Sequence, residues 1–94
     1  MNKKKFKENP DLKEVMDEDD HGEHSLTLHN DDIHSFDYVI DSLIEVCQHD
    51  SEQAEQCAFI THYKGKCDVK KGTVRKLKFM KNKLISRGLS ATID

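Results

Sequence analysis

Ninety-four residues suffice for one small domain with a modest core, which leaves no room for a further layer or a large buried cofactor. The net charge is −3 but it is segregated: Glu14 to Tyr63 carries fourteen acids and no Lys or Arg, while Lys64 to Ile93 carries ten bases and one acid, Asp68. No stretch has the apolar length of a membrane span or a secretion signal, and three cysteines without a CxxC pair argue against a disulfide scaffold, so a cytoplasmic protein in a reducing compartment is expected.

Residues 1–23 mix Lys, Glu and Asp with scattered apolar side chains (Phe6, Leu12, Val15, Met16) and the single proline, Pro10. Ordering such a segment costs more entropy than its burial returns. A disordered extension is therefore expected, followed by a core domain over 24–94.

The alternation Ser25-Leu26-Thr27-Leu28 reads as a half-buried strand. It runs into a polar knot, His29-Asn30-Asp31-Asp32-Ile33-His34, with no Lys or Arg nearby to neutralise its carboxylates. Two readings of the knot are open. Asn and Asp cap helix N-termini and tolerate tight turns, and the same acceptors would also hold a cation.

Phe36, Val39, Ile40, Leu43, Ile44 and Cys47 then recur at helical spacing, predicting an amphipathic helix from about Ser35 to Gln48. Asp50-Ser51 is a fresh cap signal, and Ala54, Cys57, Ala58 and Thr61 mark the inner face of a second helix ending near Gly65. Small residues on that face allow close approach. Cys47 and Cys57 read as small core residues. Lys66 to Lys71 alternates as a second strand. Gly72-Thr73 opens a third helix with Val74, Leu77, Met80 or Lys81, and Leu84 along its seam, and Gly88 suits a left-handed C-terminal cap. Leu89, Ala91 and Ile93 alternate with Ser90 and Thr92 as a closing strand. The order β-α-α-β-α-β predicts an α+β two-layer sandwich, with three helices on one face of a small three-stranded sheet.

These residues carry a resemblance. Leu28-His29-Asn30-Asp31-Asp32, then Phe36-Asp37-Tyr38-Val39-Ile40-Asp41-Ser42-Leu43, Ala54, the block His62-Tyr63-Lys64-Gly65-Lys66 and the closing Leu89-Ser90-Ala91-Thr92-Ile93 resemble the ClpS family of Clp protease adaptors. The likeness runs from about His24 to the C-terminus. It implies a monomeric, non-enzymatic adaptor without a cofactor, binding neither nucleic acid nor membrane. Such an adaptor binds proteins that begin with Phe, Leu, Tyr or Trp and delivers them to the N-terminal domain of a AAA+ Clp chaperone and its peptidase. By the same resemblance Asn30, Asp31 and His62 hold the free α-amino group of the substrate. Asp32, His34, Phe36, Val39, Ala58, Thr61 and Leu89 form the hydrophobic pocket, and the N-terminal extension serves delivery.

The chain departs from the family pattern in places. Ala58 stands where methionine is common and Thr61 where a valine is, which implies a roomier pocket and tolerance of β-branched or Trp first residues, unless Phe36 refills the volume. The third helix is shorter than in the best-known members, and Arg75 replaces a chaperone-facing glutamate near its start.

Two other functions are open to these residues. His21, His24, His29, His34 and His62 with Glu23, Asp31 and Asp32 could ligate a metal, although their spacing fits no closed zinc pattern. The basic third helix could bind RNA, although it lacks a glycine-rich clamp or an aromatic stacking platform. An enzyme is disfavoured, since no nucleophile has a supporting oxyanion site.

Overall fold

The computed structural model describes residues 22–94. Apart from Gly22 and Glu23, the expected extension lies outside the described residues. Six elements follow in the expected order: β1 (His24–His29), α1 (Phe36–Cys47), α2 (Ser51–Lys64), β2 (Lys66–Gly72), α3 (Val74–Ser86) and β3 (Ser90–Ile93).

Each helix starts on a side chain that takes up an orphan backbone donor. Ser35 accepts from the N–H of Tyr38, Asp50 from that of Gln53 and Thr73 from that of Lys76. The ends are equally local. Gly65 closes α2 with φ +93°. After α3, Gly88 takes φ +87°, its N–H donates to Ile85 O, and Leu89 N–H donates to Leu84 O. That pair of bonds is a Schellman closure, which needs a residue at ease in the left-handed region. Gln48 adopts the same region at the end of α1, with φ +61°.

The sheet is antiparallel in the order β2-β1-β3, so the first strand is the central one. Leu26 and Leu28 of β1 are buried in a core shared with Val69 of β2 and Ala91 of β3, Leu43, Val46 and Cys47 of α1, Ala54 and Cys57 of α2, and Leu77 and Leu84 of α3. Thr27, between those two leucines, is also buried, at 1% exposure. Its hydroxyl oxygen lies 3.0 Å from Asp68 Oδ1 and 2.8 Å from Asp94 Oδ2. One hydroxyl proton serves one carboxylate at a time.

β1 and β2 slip register after Leu26. Leu26 pairs with Lys70 and Thr27 with Asp68, so Val69 is an extra residue in β2. A bulge leaves its extra residue out of the ladder. Here the Val69 carbonyl accepts from His49 Nε2 at 2.6 Å. His49 follows α1 and is 4% exposed, so a buried imidazole ties the α1–α2 connection to the bulge.

The acidic and basic halves of the chain meet in space. Arg87, at the end of α3, reaches back to Ser42 and Glu45 on α1. Lys70 Nζ donates to the carbonyl of Cys47 at 3.0 Å.

Candidate functional site

β1 delivers the polar knot to the edge of the helical layer, and one backbone bond fixes where it lands. The N–H of Asn30 donates to the carbonyl of Gly65 at 2.9 Å, which holds the knot against the end of α2, three residues beyond His62. The knot, α1, α2 and the α3–β3 connection enclose a hollow of about 310 Å³, at the small end of ligand pockets.

All ten residues expected at the site line this hollow: Asn30, Asp31 and His62, together with Asp32, His34, Phe36, Val39, Ala58, Thr61 and Leu89. Two more line it that the sequence reading did not assign to the pocket, Leu28 and His29. The alternation of β1 already put Leu28 on the helical side; it puts the side chain of His29 on the opposite face, where Nε2 lies 2.8 Å from Thr92 Oγ1, so no periodic signal announced His29 at the hollow. Burial sorts the lining. Leu28, Ala58, Thr61 and Leu89 are buried, whereas Asn30, Asp32, Phe36 and His62 are exposed. Polar acceptors therefore stand at the rim and apolar surface behind. The Thr61 hydroxyl donates to the Cys57 carbonyl at 2.8 Å, so its polar atom is already partnered.

Asp31 does the capping work that one reading of the knot anticipated. Its Oδ1 accepts the N–H groups of Ile33 and His34, both at 2.9 Å, closing a tight turn ahead of α1. The His34 imidazole adds Nδ1 at 3.2 Å from Oδ1 and 3.1 Å from Oδ2. Partial burial pushes the Asp31 carboxyl upward, but the backbone donors of His34 and Ile33 and the His34 ring outweigh it and hold the carboxyl below its ordinary value of 3.8. Asp31 thus stands ionised at the mouth of the hollow.

The His34 ring is held on further sides. It stacks on Tyr38 at 4.9 Å between centroids and 19° between planes, and the Tyr38 hydroxyl donates to the Arg87 carbonyl at 2.7 Å. Gly88 lies against it so closely that a Cβ there would sit 3.0 Å from His34 Nε2.

Beyond Phe36 lies a second, more open hollow of about 490 Å³, lined by Glu52, Glu55, Gln56, Phe59 and Ile60 as well as Phe36. Among the described residues no group of three or more His, Cys, Asp or Glu side chains is placed to hold a metal ion. His21, one of the ligands considered above, lies outside them. No described helix is long and apolar enough to cross a membrane.

Comparison with known proteins places the fold. The family model of the ATP-dependent Clp protease adaptor protein ClpS matches residues 19–92. Among solved structures, the fold is similar to that of ClpS2 from Agrobacterium tumefaciens bound to L-phenylalaninamide. The TM-score is 0.73 with 17% identity, covering 77% of this chain and 94% of that one. No curated protein matches the chain by sequence.

Proposed function

The chain belongs to the ClpS family of Clp protease adaptors, and from that membership we propose that it binds the free α-amino group and the large apolar side chain of a protein's first residue, handing that protein to a AAA+ Clp chaperone and its peptidase for degradation. ClpS is an adaptor family, not a catalytic one. The observation that carries the proposal is the hollow itself, with ionised and neutral acceptors at its mouth and buried apolar walls behind.

An N-terminal ammonium brings three N–H donors and a positive charge. The Asn30 side-chain oxygen, the Asp31 carboxylate and an unprotonated His62 nitrogen complement it, and an acetylated or internal residue leaves those acceptors without partners. Burying a Phe or Leu side chain behind them contributes roughly 1.5–3 kcal/mol, comparable to charge-assisted hydrogen bonds of about the same size. Neither half selects an N-terminal large apolar residue without the other. The fold is shared with ClpS2 of Agrobacterium tumefaciens, whose structure holds L-phenylalaninamide, a molecule with this pairing of free amine and aromatic side chain. Adaptor work of this kind belongs in the cytoplasm, and the segment before β1 is assigned to delivery.

The test is fluorescence anisotropy with matched peptides beginning with Phe, acetyl-Phe and Met. Phe should bind while acetyl-Phe binds at least about tenfold more weakly, the value of one charge-assisted bond, and Met reports how far the hollow discriminates among large apolar side chains. Equal affinity for Phe and acetyl-Phe would remove the ammonium site from the proposal.

A further inference from the structure

We propose that His34 is the positioning residue for Asp31: its Nδ1–H holds the carboxylate in the posture that meets a ligand's ammonium. This rests on the reading of Asp31 as an ammonium acceptor given above.

The resemblance cast His34 as a wall of the apolar pocket, but its geometry gives it a second task. Asp31 Oδ1 is surrounded by three donors, the N–H of Ile33, the N–H of His34 and His34 Nδ1. Oδ2 has one of these neighbours, Nδ1 at 3.1 Å, and so retains acceptor capacity for a ligand. A carboxylate held only by its own turn could still rotate about its terminal torsion, which is broad. The imidazole bridging both oxygens removes that freedom. It also fixes its own tautomer, because the nitrogen facing a carboxylate must carry the hydrogen.

The ring itself has little freedom. Tyr38 stacks on one face and is anchored through its hydroxyl to Arg87 O, while the Gly88 backbone blocks the Nε2 side. The ionisable groups around His34 are few. Asp31 faces it within the knot, Tyr38 faces it from α1, and Arg87 approaches from the α3–β3 connection with its guanidinium turned to Ser42 and Glu45. His29, Asp32 and His62 share the hollow.

The experiment measures the affinity of a Phe-initiated peptide for wild type, His34→Asn, His34→Phe and Asp31→Asn, with a thermal melt of each protein. An Asn amide nitrogen sits near the place of Nδ1 and donates without titrating; Phe keeps the stack on Tyr38 and donates nothing. His34→Asn should bind within about threefold of wild type, whereas His34→Phe should bind about tenfold more weakly while remaining folded at the assay temperature. If His34 served packing alone the ranking would invert, with Phe the better replacement, and that result overturns the proposal. Asp31→Asn separates the two levels of the argument. Wild-type affinity in that variant defeats the ammonium reading itself, while weak binding there together with full binding in His34→Phe defeats only the role given to His34.

Discussion

Replacing Gly88 with alanine strikes the fold and the candidate site through one methyl group. Gly88 has φ +87°, and the added Cβ would meet His34 Nε2 at 3.0 Å and Cε1 at 3.2 Å. Left-handed backbone costs an L-residue about 1–2 kcal/mol, and forcing an extra methyl against a ring that cannot retreat costs about 1 kcal/mol or more. The expected loss is about 2–3 kcal/mol, and for a domain of this size each kcal/mol lowers Tm by roughly 4–8 °C. A double-mutant cycle isolates the second part. In a His34→Ala background the methyl has room, so Gly88→Ala should cost only the backbone strain, with a coupling of about 1 kcal/mol between the two sites. Urea denaturation of the four proteins measures it. Equal cost in both backgrounds would show that the ring is not pinned between Asp31 and the α3–β3 connection.

Four further outcomes are expected. Because the folded Asp31 carboxyl is held below its ordinary 3.8, its contribution to stability is present above that value and is lost as pH falls through the folded value; Asp31→Asn should lower stability at pH 7 and flatten the decline in urea midpoint below about pH 4. His49→Phe removes the donor to the Val69 carbonyl at the bulge and should cost about 1–3 kcal/mol, read as a lowered urea midpoint with an unchanged m-value. Gln48→Gly should raise stability by about 0.5–1 kcal/mol, since it relieves a left-handed residue at the end of α1; a destabilised variant would contradict this. Wild type should accept Phe, Leu, Ile and Trp first residues within about tenfold of one another, and Ala58→Met should narrow that range by filling the hollow at about 0.8 kcal/mol per methylene displaced. A sharp wild-type preference for Leu alone would refute the roomy pocket.

The fold was legible where the information is local. Ser35, Asp50 and Thr73 announce the three helices by cap chemistry, and Gly65 and Gly88 announce two of the ends. Period 3.6 and period 2 then assign the faces, which is how Leu43, Leu77 and Leu84 on one hand and Leu26 and Leu28 on the other could be placed in the core. The site positions came from the resemblance, and the residues it named do line a single hollow. What escaped the sequence is held by pairs far apart in the chain or by irregular backbone. The strand order β2-β1-β3 depends on long-range pairing. The bulge at Val69 and its contact with His49 have no periodic signature, and a histidine between two helices reads as solvated. The clasp between His34, Asp31 and Gly88 needs an Asx turn and a left-handed glycine to meet across more than fifty residues of chain. Cys57 and Cys67 likewise turn out to lie close enough across α2 and β2 to perturb one another's ionisation, which their spacing of ten does not announce. Burial pushes the Cys67 thiol up to about 12 and the Cys47 thiol up to about 11, so as thiolates both are scarce at neutral pH.

The knot leaves the strand that is paired on both sides, and its first amide is bonded again to the end of α2. Amide deuteration under native conditions should reflect that attachment. The four-residue β3 should surrender its protons first, the middle of β1 should resist nearly as long as the whole domain stays folded, and the Asn30 amide should exchange with that slow group despite its exposed side chain. A ligand entering the hollow would then meet a surface already set, with little ordering left to be done when it arrives.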